Sequence, residues 1–311
     1  MTKGHTDSIS QSVSVELIAV LVAVTNGQPK VITVSSGDAL PAGPLEESHK
    51  SLQAGLRAWV ADQTGRRPGF VEQLYTFADR DRGHSEKYTR QISISYLGLT
   101  GEDGPLLAST SWRGWYGYLP WEDRRDTVPA LLKDIVEPGV QRWVIATKDA
   151  SARQARRERA AIAFGLDGRN WNEDLVLQRY ELLFEAGLLP EAGPAGRRSL
   201  RLGSPMEADH RRILATGIAR LRAKIKYNPV VFELMPPIFT LQQLQQCVEA
   251  IAGANLHTPN FRRLIEQQQL VEATGAMVAD TGGRPARAYR FRAEVKEERA
   301  AVGARLPIAR A

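Results

Sequence analysis

The chain has 311 residues, of which 43% are hydrophobic and 24% are charged, and its mean hydropathy is −0.30. This length predicts two domains of roughly 100–200 residues each, and the composition excludes fibrous and largely disordered proteins. The longest strongly apolar run, residues 13–24, carries Glu16. It is shorter than the roughly 20 residues that span a bilayer, so we expect no transmembrane segment and no membrane partner.

The first residues and the cysteine content both bear on the compartment. Residues 1–12 lack the basic and apolar regions of a secretion signal, and Cys247 is the only cysteine. A single cysteine excludes an intrachain disulfide. Both observations predict a cytoplasmic protein.

Positive charge is concentrated in one part of the chain. Residues 204–311 hold 16 Lys and Arg against 10 Asp and Glu, whereas residues 1–203 hold 25 of each. A basic surplus confined to one region favours nucleic acid over an acidic small substrate as the partner. A solvated basic face without a partner would give the same count, so charge alone leaves both readings open.

The first hundred residues combine strand and helix patterns. Asn26-Gly27 separates two β-branched runs, residues 13–24 and 30–34, which predicts a β-hairpin. Apolar residues recur at helical spacing over residues 48–63, and residues 91–99 alternate as in a strand. The pattern predicts a helix packed on a sheet and an α+β fold class.

An aromatic cluster follows. Three of the six tryptophans, Trp112, Trp115 and Trp121, lie within residues 112–121, and Arg124 and Arg125 come directly after them. Such a cluster can stack on a nucleobase, seal a dimer interface or fill the core beside a sheet. The sequence leaves these three roles open.

Residues 126–204 are predicted to contain helices followed by a linker. Helical spacing covers residues 149–164 and 172–186, and residues 188–204 are rich in Pro and Gly. The expected domains are residues 1–125, a helical insertion and linker over 126–204, a second domain over 205–295 and a tail over 296–311.

A helix-turn-helix is predicted after a helix over residues 209–226. Thr240 can cap a helix that ends at Gly253, and Thr258-Pro259 opens a second helix that buries Phe261. The polar residues left on the outer side of this second helix are Asn260, Arg262, Arg263 and Gln267. Two helices joined by a short turn form the motif by which many proteins place a recognition helix on DNA.

A hairpin follows the second helix. Two strand-like segments, residues 271–275 and 288–291, flank a glycine-rich tip that includes Arg284 and Arg287. Glycine allows the backbone to approach a groove closely, and arginine reaches phosphates or base edges, so the hairpin predicts the wing of a DNA-binding winged helix. Winged helices that dock proteins are the alternative.

Four segments carry a likeness to one known family: residues 70–77, 209–227, 239–263 and 283–291. They resemble, in this order, the E-Q-L-x-T-F element, the domain-joining helix, the helix-turn-helix and the wing of the Nudix-related transcriptional regulators of bacterial NAD metabolism. Residues 115–124 resemble the alphaproteobacterial branch of that family. The resemblance implies an N-terminal Nudix-like α/β/α sandwich domain, a helical linker region and a C-terminal winged helix-turn-helix domain.

The resemblance also allows a test for hydrolase activity, because a Nudix hydrolase binds divalent ions with glutamates on one helix face. With Thr64-Gly65 at the end of that box, Trp59 and Gln63 occupy glutamate positions, Asp62 is the remaining acidic residue and Lys50 lies near the upstream glutamate. The acidic residues that a register slip would bring in are Glu46 and Glu47. We therefore expect no enzyme, no metal site and no required cofactor.

The function implied is that of a homodimeric repressor of NAD biosynthesis or salvage genes, which binds a palindromic operator in double-stranded DNA and a nucleotide effector: NAD, ADP-ribose or ATP. Candidate DNA contacts are Thr240 and Gln242 on phosphates, Thr258, Asn260, Arg262 and Arg263 in the major groove, and Arg284 and Arg287 in the wing. Candidate effector contacts are Gln73, Thr76, Arg80, Arg82 and Trp115. Arginine can pair with a pyrophosphate and tryptophan can stack on adenine.

Other interpretations stay open at this point. Residues 79–82 alternate Asp and Arg and could be a self-neutralised surface run. The five histidines show no metal-ligand spacing and are expected at the surface or at helix caps. The alternative function is a Nudix-type hydrolase of ADP-ribose or a related nucleoside diphosphate, with the winged helix as a regulatory addition.

Overall fold

The computed structural model describes residues 12–78, 89–102, 104–192, 202–278 and 285–292. Its larger sheet has six strands: β1 (Ser12–Thr25), β2 (Gln28–Thr33), β3 (Ala42–Pro44), β4 (Phe70–Phe77), β5 (Thr89–Leu99) and β6 (Ser111–Gly114). The order is β4-β5-β1-β2-β6, and β3 pairs with the first half of β1. β1 and β5 are parallel, and the other neighbours are antiparallel.

The turn between β1 and β2 confirms the predicted hairpin. Asn26 and Gly27 have φ angles of 52° and 66°. Two consecutive residues with positive φ give the turn whose twist matches that of the strands, and Asn-Gly adopts it at low cost. The register continues directly from the turn, with Thr25 opposite Gln28.

Helices cover both faces of the sheet. The odd-numbered residues Leu17, Ala19 and Leu21 pack with α1 (Leu52–Thr64) in one cluster, whereas the even-numbered residues of β1 pack in the cluster that contains α5 (His210–Ile225). α5 approaches β1 so closely that a Cβ at Gly217 would lie 2.9 Å from a methyl group of Val20. The expected α/β/α sandwich is confirmed. Its second helical layer includes α5, which the sequence pattern assigns to the second domain.

Local capping sets the limits of α1. The Oγ of Ser51 accepts the N–H of Ala54 at 3.1 Å, so the helix begins at Leu52 rather than at the predicted residue 48. At the other end Gly65 has a φ of 71° and lies in the left-handed conformation that closes a helix.

The described residues between β6 and α5 include three α-helices. They are α2 (Glu137–Ile145), α3 (Ala150–Phe164) and α4 (Val176–Glu185). The predicted helix over 149–164 is confirmed, with Asp149 as its cap. The other predicted helix begins later than residue 172, and α2 was not predicted. α4 packs on α5 and so joins this region to the sandwich.

The described residues after α5 form a winged helix. Its elements are α6 (Leu241–Ala252), α7 (Thr258–Gln267), β7 (Val271–Val278) and β8 (Ala286–Phe291), and the last two pair antiparallel. Phe239 exchanges two backbone hydrogen bonds with Tyr289, at 3.0 and 2.8 Å, and so adds a short third strand. Both the predicted helix-turn-helix and the predicted hairpin are confirmed.

A single cluster of buried side chains extends from the sheet through α4 and α5 to α6 and α7. Val20 of β1, Leu214 of α5, Val248 of α6 and Ile265 of α7 all belong to it, and each is fully buried. The winged helix and the sandwich therefore share one core. Among the helices in the described ranges, none combines the length and hydropathy that a membrane span requires.

Candidate nucleic-acid interface and ligand pocket

The outer face of α7 is polar and unpaired. Phe261 and Ile265 point into the core, whereas Asn260, Arg262 and Arg263 are exposed. Within the described part of the chain, the structure gives these three side chains no ion pair and no hydrogen bond. The amide and both guanidinium groups are therefore available to an external acceptor such as a base edge or a phosphate.

Side chains of α6 fix where α7 begins. The Nε2 atom of Gln245 donates to the carbonyl of Leu256 at 3.1 Å and to the Oγ1 atom of Thr258 at 3.0 Å. Glu249 accepts the N–H of Leu256 at 2.8 Å. Thr258 is exposed, and its hydroxyl can still donate to a phosphate while it accepts from Gln245.

Thr240 does not fit its predicted role on a phosphate. Its side chain is buried, its Oγ1 atom accepts the N–H of Gln243 at 3.2 Å, and the Gln243 side chain accepts the N–H of Thr240 at 2.8 Å. This reciprocal capping box uses the hydroxyl to start α6. The neighbouring candidate, Gln242, is exposed on the first turn of α6.

The wing contributes one candidate within the described residues. Arg287 is exposed on β8, opposite Met277 of β7. Arg290, on the same strand, is paired with Glu272 instead. Arg284 lies outside the described residues.

A shallow pocket of about 420 Å³ lies beside the start of α1. Its lining residues are Ser51, Leu52, Gln53, Gln73 and Tyr96. Gln73 and Thr76 lie opposite Tyr96 and Ile94, and both of those β5 residues pack toward α1, so the two candidates share the α1 face of the sheet. A β-bulge between Gln73 and Thr76 makes this possible for residues three positions apart.

Trp115 is not in this pocket. It is completely buried in the cluster that joins the sheet to α5 and the winged helix. The prediction that it stacks on an effector was therefore wrong, and core filling is the role that the structure supports for Trp115 and Trp121. Arg80 and Arg82 lie outside the described residues.

The residues at the Nudix-box positions hold strand β3. The Nε1 atom of Trp59 donates to the carbonyl of Pro44 at 2.8 Å, and the Gln63 amide makes two hydrogen bonds with the backbone of Ala42, at 3.1 and 2.6 Å. Asp62 is exposed, as are Glu46 and Glu47. Within the described ranges, no group of three or more His, Cys, Asp or Glu could hold a metal ion.

A buried ionic cluster, absent from the predicted sites, joins three parts of the fold. Glu122 accepts from Arg179 of α4 at 2.5 and 2.9 Å and from Arg222 of α5 at 2.6 Å, and all three side chains are fully buried. Burial alone raises the pKa of Glu122, but the two guanidinium groups outweigh it and hold that pKa below its usual value.

A sequence signal for this cluster exists. Arg222 lies on the apolar stripe of α5 between Ile218 and Ile225, and Arg179 lies on the stripe of α4 between Val176 and Leu183. A charged residue in an apolar stripe predicts a buried partner of opposite charge, because an unpaired buried charge is costly. The stripe does not say which carboxylate is the partner.

His210 also differs from expectation. It is buried, and its Nδ1 atom accepts the N–H of Leu40 at 2.9 Å, which ties the start of α5 to the loop before β3. Burial lowers its pKa to about 4. This histidine is therefore a neutral core acceptor and not a surface or capping residue.

Comparisons with known proteins agree with this geometry. Residues 231–291 match the family model of the NrtR DNA-binding winged helix domain. The ADPR responsive transcriptional repressor NtrR of Acinetobacter baylyi is 42% identical to this chain over 83 residues. The matched segment covers 27% of this chain and 33% of that repressor, so it spans about a third of the relative's length.

Two solved structures share the fold over almost the whole chain. Shewanella oneidensis NrtR, crystallised in complex with a 27mer DNA, has a TM-score of 0.55 at 19% identity and covers 94% of this chain and 97% of its own. A MutT/nudix family protein from Enterococcus faecalis has a TM-score of 0.52 at 15% identity, with 94% and 90% covered. The arrangement of a Nudix-like sandwich followed by a winged helix is therefore shared with known proteins.

Proposed function

We propose that this protein is a transcriptional repressor that binds DNA through its winged helix and releases it when the Nudix-like domain binds ADP-ribose. The observation that carries the proposal is the unpaired polar face of α7, within a segment that matches the NrtR winged helix domain. The Shewanella oneidensis NrtR structure of similar fold was crystallised in complex with a 27mer DNA.

DNA contact follows from the side chains that α7 leaves free. Arg262 or Arg263 can bind guanine through two hydrogen bonds and Asn260 can do the same with adenine, each contributing about 1–3 kcal/mol of discrimination. Gln242, Thr258 and Arg287 are suited to phosphates, which position the protein without reading sequence. We propose a homodimer on a palindromic operator, with recognition helices about 34–36 Å apart or a multiple of that distance.

The effector proposal combines a relative's name with the pocket beside α1. The Acinetobacter relative is named as ADPR responsive. The pocket lies at the N-terminal end of a helix, where free N–H groups and the helix dipole favour a phosphate, and Gln73 offers an amide beside it. NAD and ATP also carry an adenosine joined to phosphates, so they are the alternative effectors to compare with ADP-ribose.

We further propose that the Nudix-like domain does not hydrolyse its ligand. Trp59 and Gln63 supply no carboxylate at the box positions, and both are engaged with the β3 backbone. Mg²⁺ held by Asp62 alone would stay mostly hydrated. We also propose a cytoplasmic location, which the first residues and the cysteine content support, and control of NAD biosynthesis or salvage genes. The gene targets and the alphaproteobacterial branch rest on the family resemblance.

One experiment tests the central claim. The full chain selects an operator from a pool of randomised duplex DNA, and fluorescence anisotropy then gives the Kd for that duplex at two salt concentrations, with and without ADP-ribose. We expect specific binding that weakens as salt rises and that ADP-ribose reduces about 5- to 150-fold, the usual range of coupling between two sites. Failure to recover a consensus sequence would contradict the repressor proposal. If NAD or ATP weakens operator binding at a lower concentration than ADP-ribose does, the proposal that ADP-ribose is the effector is contradicted.

A second assay addresses hydrolysis. The protein is incubated with ADP-ribose in the presence of Mg²⁺, and a phosphatase converts any product to free phosphate. The rate of phosphate release should not exceed the rate without the protein. Turnover that disappears in Asp62→Ala would instead support the hydrolase.

A further inference from the structure

The turn between α6 and α7 is hydrogen-bonded to a segment of the N-terminal half. Tyr116, Arg124 and Arg125 bond to residues 250–255, and we call this set of contacts the junction. Its bonds are the Tyr116 hydroxyl to the Ala250 carbonyl at 2.7 Å, the Arg124 N–H to the Gly253 carbonyl at 2.8 Å, and the Asn255 side chain to the Arg125 carbonyl. The turn that leads into the recognition helix is thus held by residues outside the winged helix.

The buried ionic cluster strengthens the same contact. Arg222 donates from Nε to the carbonyl of Ile251 at 2.8 Å while its Nη1 atom pairs with Glu122. Gly253 lies against Glu122, where an added Cβ would be only 2.2 Å from the Glu122 carbonyl oxygen. Carbonyls at the end of a helix lack partners within that helix. The Tyr116 hydroxyl, the Arg124 N–H and the Arg222 guanidinium therefore complete the hydrogen bonding at the end of α6.

The junction can transmit movement because both of its sides are rigidly connected. Residues 115–122 follow directly from strand β6, and Trp115 and Trp121 anchor them in the core. On the other side, Gln245 and Glu249 tie α6 to the start of α7. A displacement of Tyr116, Arg124 and Arg125 is therefore expected to change the direction of α7.

A cleft lies between part of the sandwich and part of the winged helix, next to the junction. The cleft has a volume of about 1200 Å³, and its walls include Asn26 and Gly27 of the β1–β2 turn and Met235, Gln243 and Gln246 of the winged helix. Arg125 and Asn255 of the junction also line this cleft, and Arg125 donates to the carbonyl of Gly27 at 2.5 Å, so the junction segment is bonded to the β1–β2 turn as well as to the winged helix.

We propose that the junction is the element through which a nucleotide bound by the sandwich alters operator binding, with Tyr116 and Asn255 as positioning residues. This inference rests on the proposed function. Neither residue lies on the exposed face of α7 or in the pocket beside α1, so each acts through the placement of the helix-turn-helix.

The test compares two tyrosines that differ in where their hydroxyls bind. Tyr116→Phe removes a bond across the junction, whereas Tyr118→Phe removes a bond of the same kind, to the Gly37 carbonyl at 2.6 Å, within the sandwich. For each full-length variant, anisotropy gives the operator Kd with and without ADP-ribose, and calorimetry gives the ADP-ribose Kd. Asn255→Ala is the second junction variant, at an exposed position where loss of folding is not expected.

In wild type, the operator Kd with ADP-ribose divided by the operator Kd without it measures the coupling. We expect this ratio to move toward one by about 2- to 10-fold in Tyr116→Phe and in Asn255→Ala, which is the range that one lost hydrogen bond gives. The ADP-ribose Kd stays at the wild-type value, and Tyr118→Phe keeps the wild-type ratio. A wild-type ratio in both junction variants overturns the inference alone. A wild-type protein whose operator Kd does not respond to ADP-ribose overturns the proposed function and this inference with it.

Discussion

Glu122 and Arg179 form an ion pair at 2.5 Å in which neither side chain reaches solvent. Removing one member of a buried pair leaves the other charge uncompensated, which typically costs about 3–5 kcal/mol. Because Glu122→Ala also leaves Arg222 without its carboxylate, we expect it to lower the free energy of unfolding by at least about that amount, as measured by urea denaturation.

An exposed pair provides the matched control. Arg159 and Glu185 lie 2.6 Å apart, but their side chains are 51% and 43% exposed. Glu185→Ala should change the free energy of unfolding by no more than about 1 kcal/mol. If both variants lower the free energy of unfolding equally, burial does not determine how much the Glu122 cluster contributes to stability.

Asn260 and Gln242 should affect operator binding in different ways. If Asn260 reads a base, Asn260→Ala should relax the preference at one base pair by about 1–3 kcal/mol. If Gln242 binds phosphate, Gln242→Ala should weaken all duplexes alike. Anisotropy against single-base operator variants measures both effects.

Arg157→Ala on α3 serves as the control for that series, because Arg157 is paired with Asp167 in the helical region. It should leave every operator Kd unchanged. If Asn260→Ala instead weakens binding to every duplex by the same factor, Asn260 contacts the DNA backbone and not a base.

Gln73→Glu places a negative charge in the pocket beside α1. Two like charges about 4 Å apart repel by about 1 kcal/mol in bulk water and about 4 kcal/mol near a protein surface. The ADP-ribose Kd measured by calorimetry should therefore rise roughly tenfold or more, and the increase should shrink at high salt.

Gln246→Glu makes the same charge change on the exposed side of α6 and should leave the ADP-ribose Kd at its wild-type value. If the two variants bind ADP-ribose equally well, the effector does not occupy the pocket that Gln73 lines.

His210 should make stability depend on acid pH. Its pKa is about 4 in the folded protein, because burial disfavours the charged form, and about 6.5 in the unfolded chain. The unfolded chain therefore takes up a proton first as pH falls, so the stability due to neutral His210 is complete above pH 6.5 and is lost between pH 6.5 and 4, by up to about 3 kcal/mol.

His210→Asn keeps an acceptor for the Leu40 N–H and removes the titration. Wild type and variant should therefore converge in free energy of unfolding between pH 7 and pH 4.5, measured in urea. Glu16 shifts in the opposite sense, since burial raises its pKa, but it is present in both proteins and cancels in the difference. Parallel pH curves would contradict the assignment.

Local signals predicted the hairpin, α1 and the two helices of the winged helix. Asn26-Gly27 and Thr240 each fix a turn or a helix start through neighbouring residues, so a short stretch of sequence contains the whole cause. Apolar spacing predicted α1 but not its start, which the Ser51 cap sets. Thr240 also shows the limit of such a signal, because the hydroxyl that caps the helix is buried and so cannot reach a phosphate.

The remaining features depend on contacts between distant residues. An apolar stripe predicted α5 but not that the stripe would pack on β1. Aromatic spacing could not distinguish a ligand face from a core face for Trp115. Glu122 and Arg222 are 100 residues apart, and no local pattern pairs them.

Helix α5 is the last structural layer of the sandwich and also the chain's route into the winged helix. Truncation at residue 204 would uncover the even-numbered side chains of β1 to water and invite aggregation. Anyone exchanging sensory halves between regulators of this architecture must therefore transplant residues 210–225 along with the sheet, and splice the chimera between α5 and the segment that precedes α6.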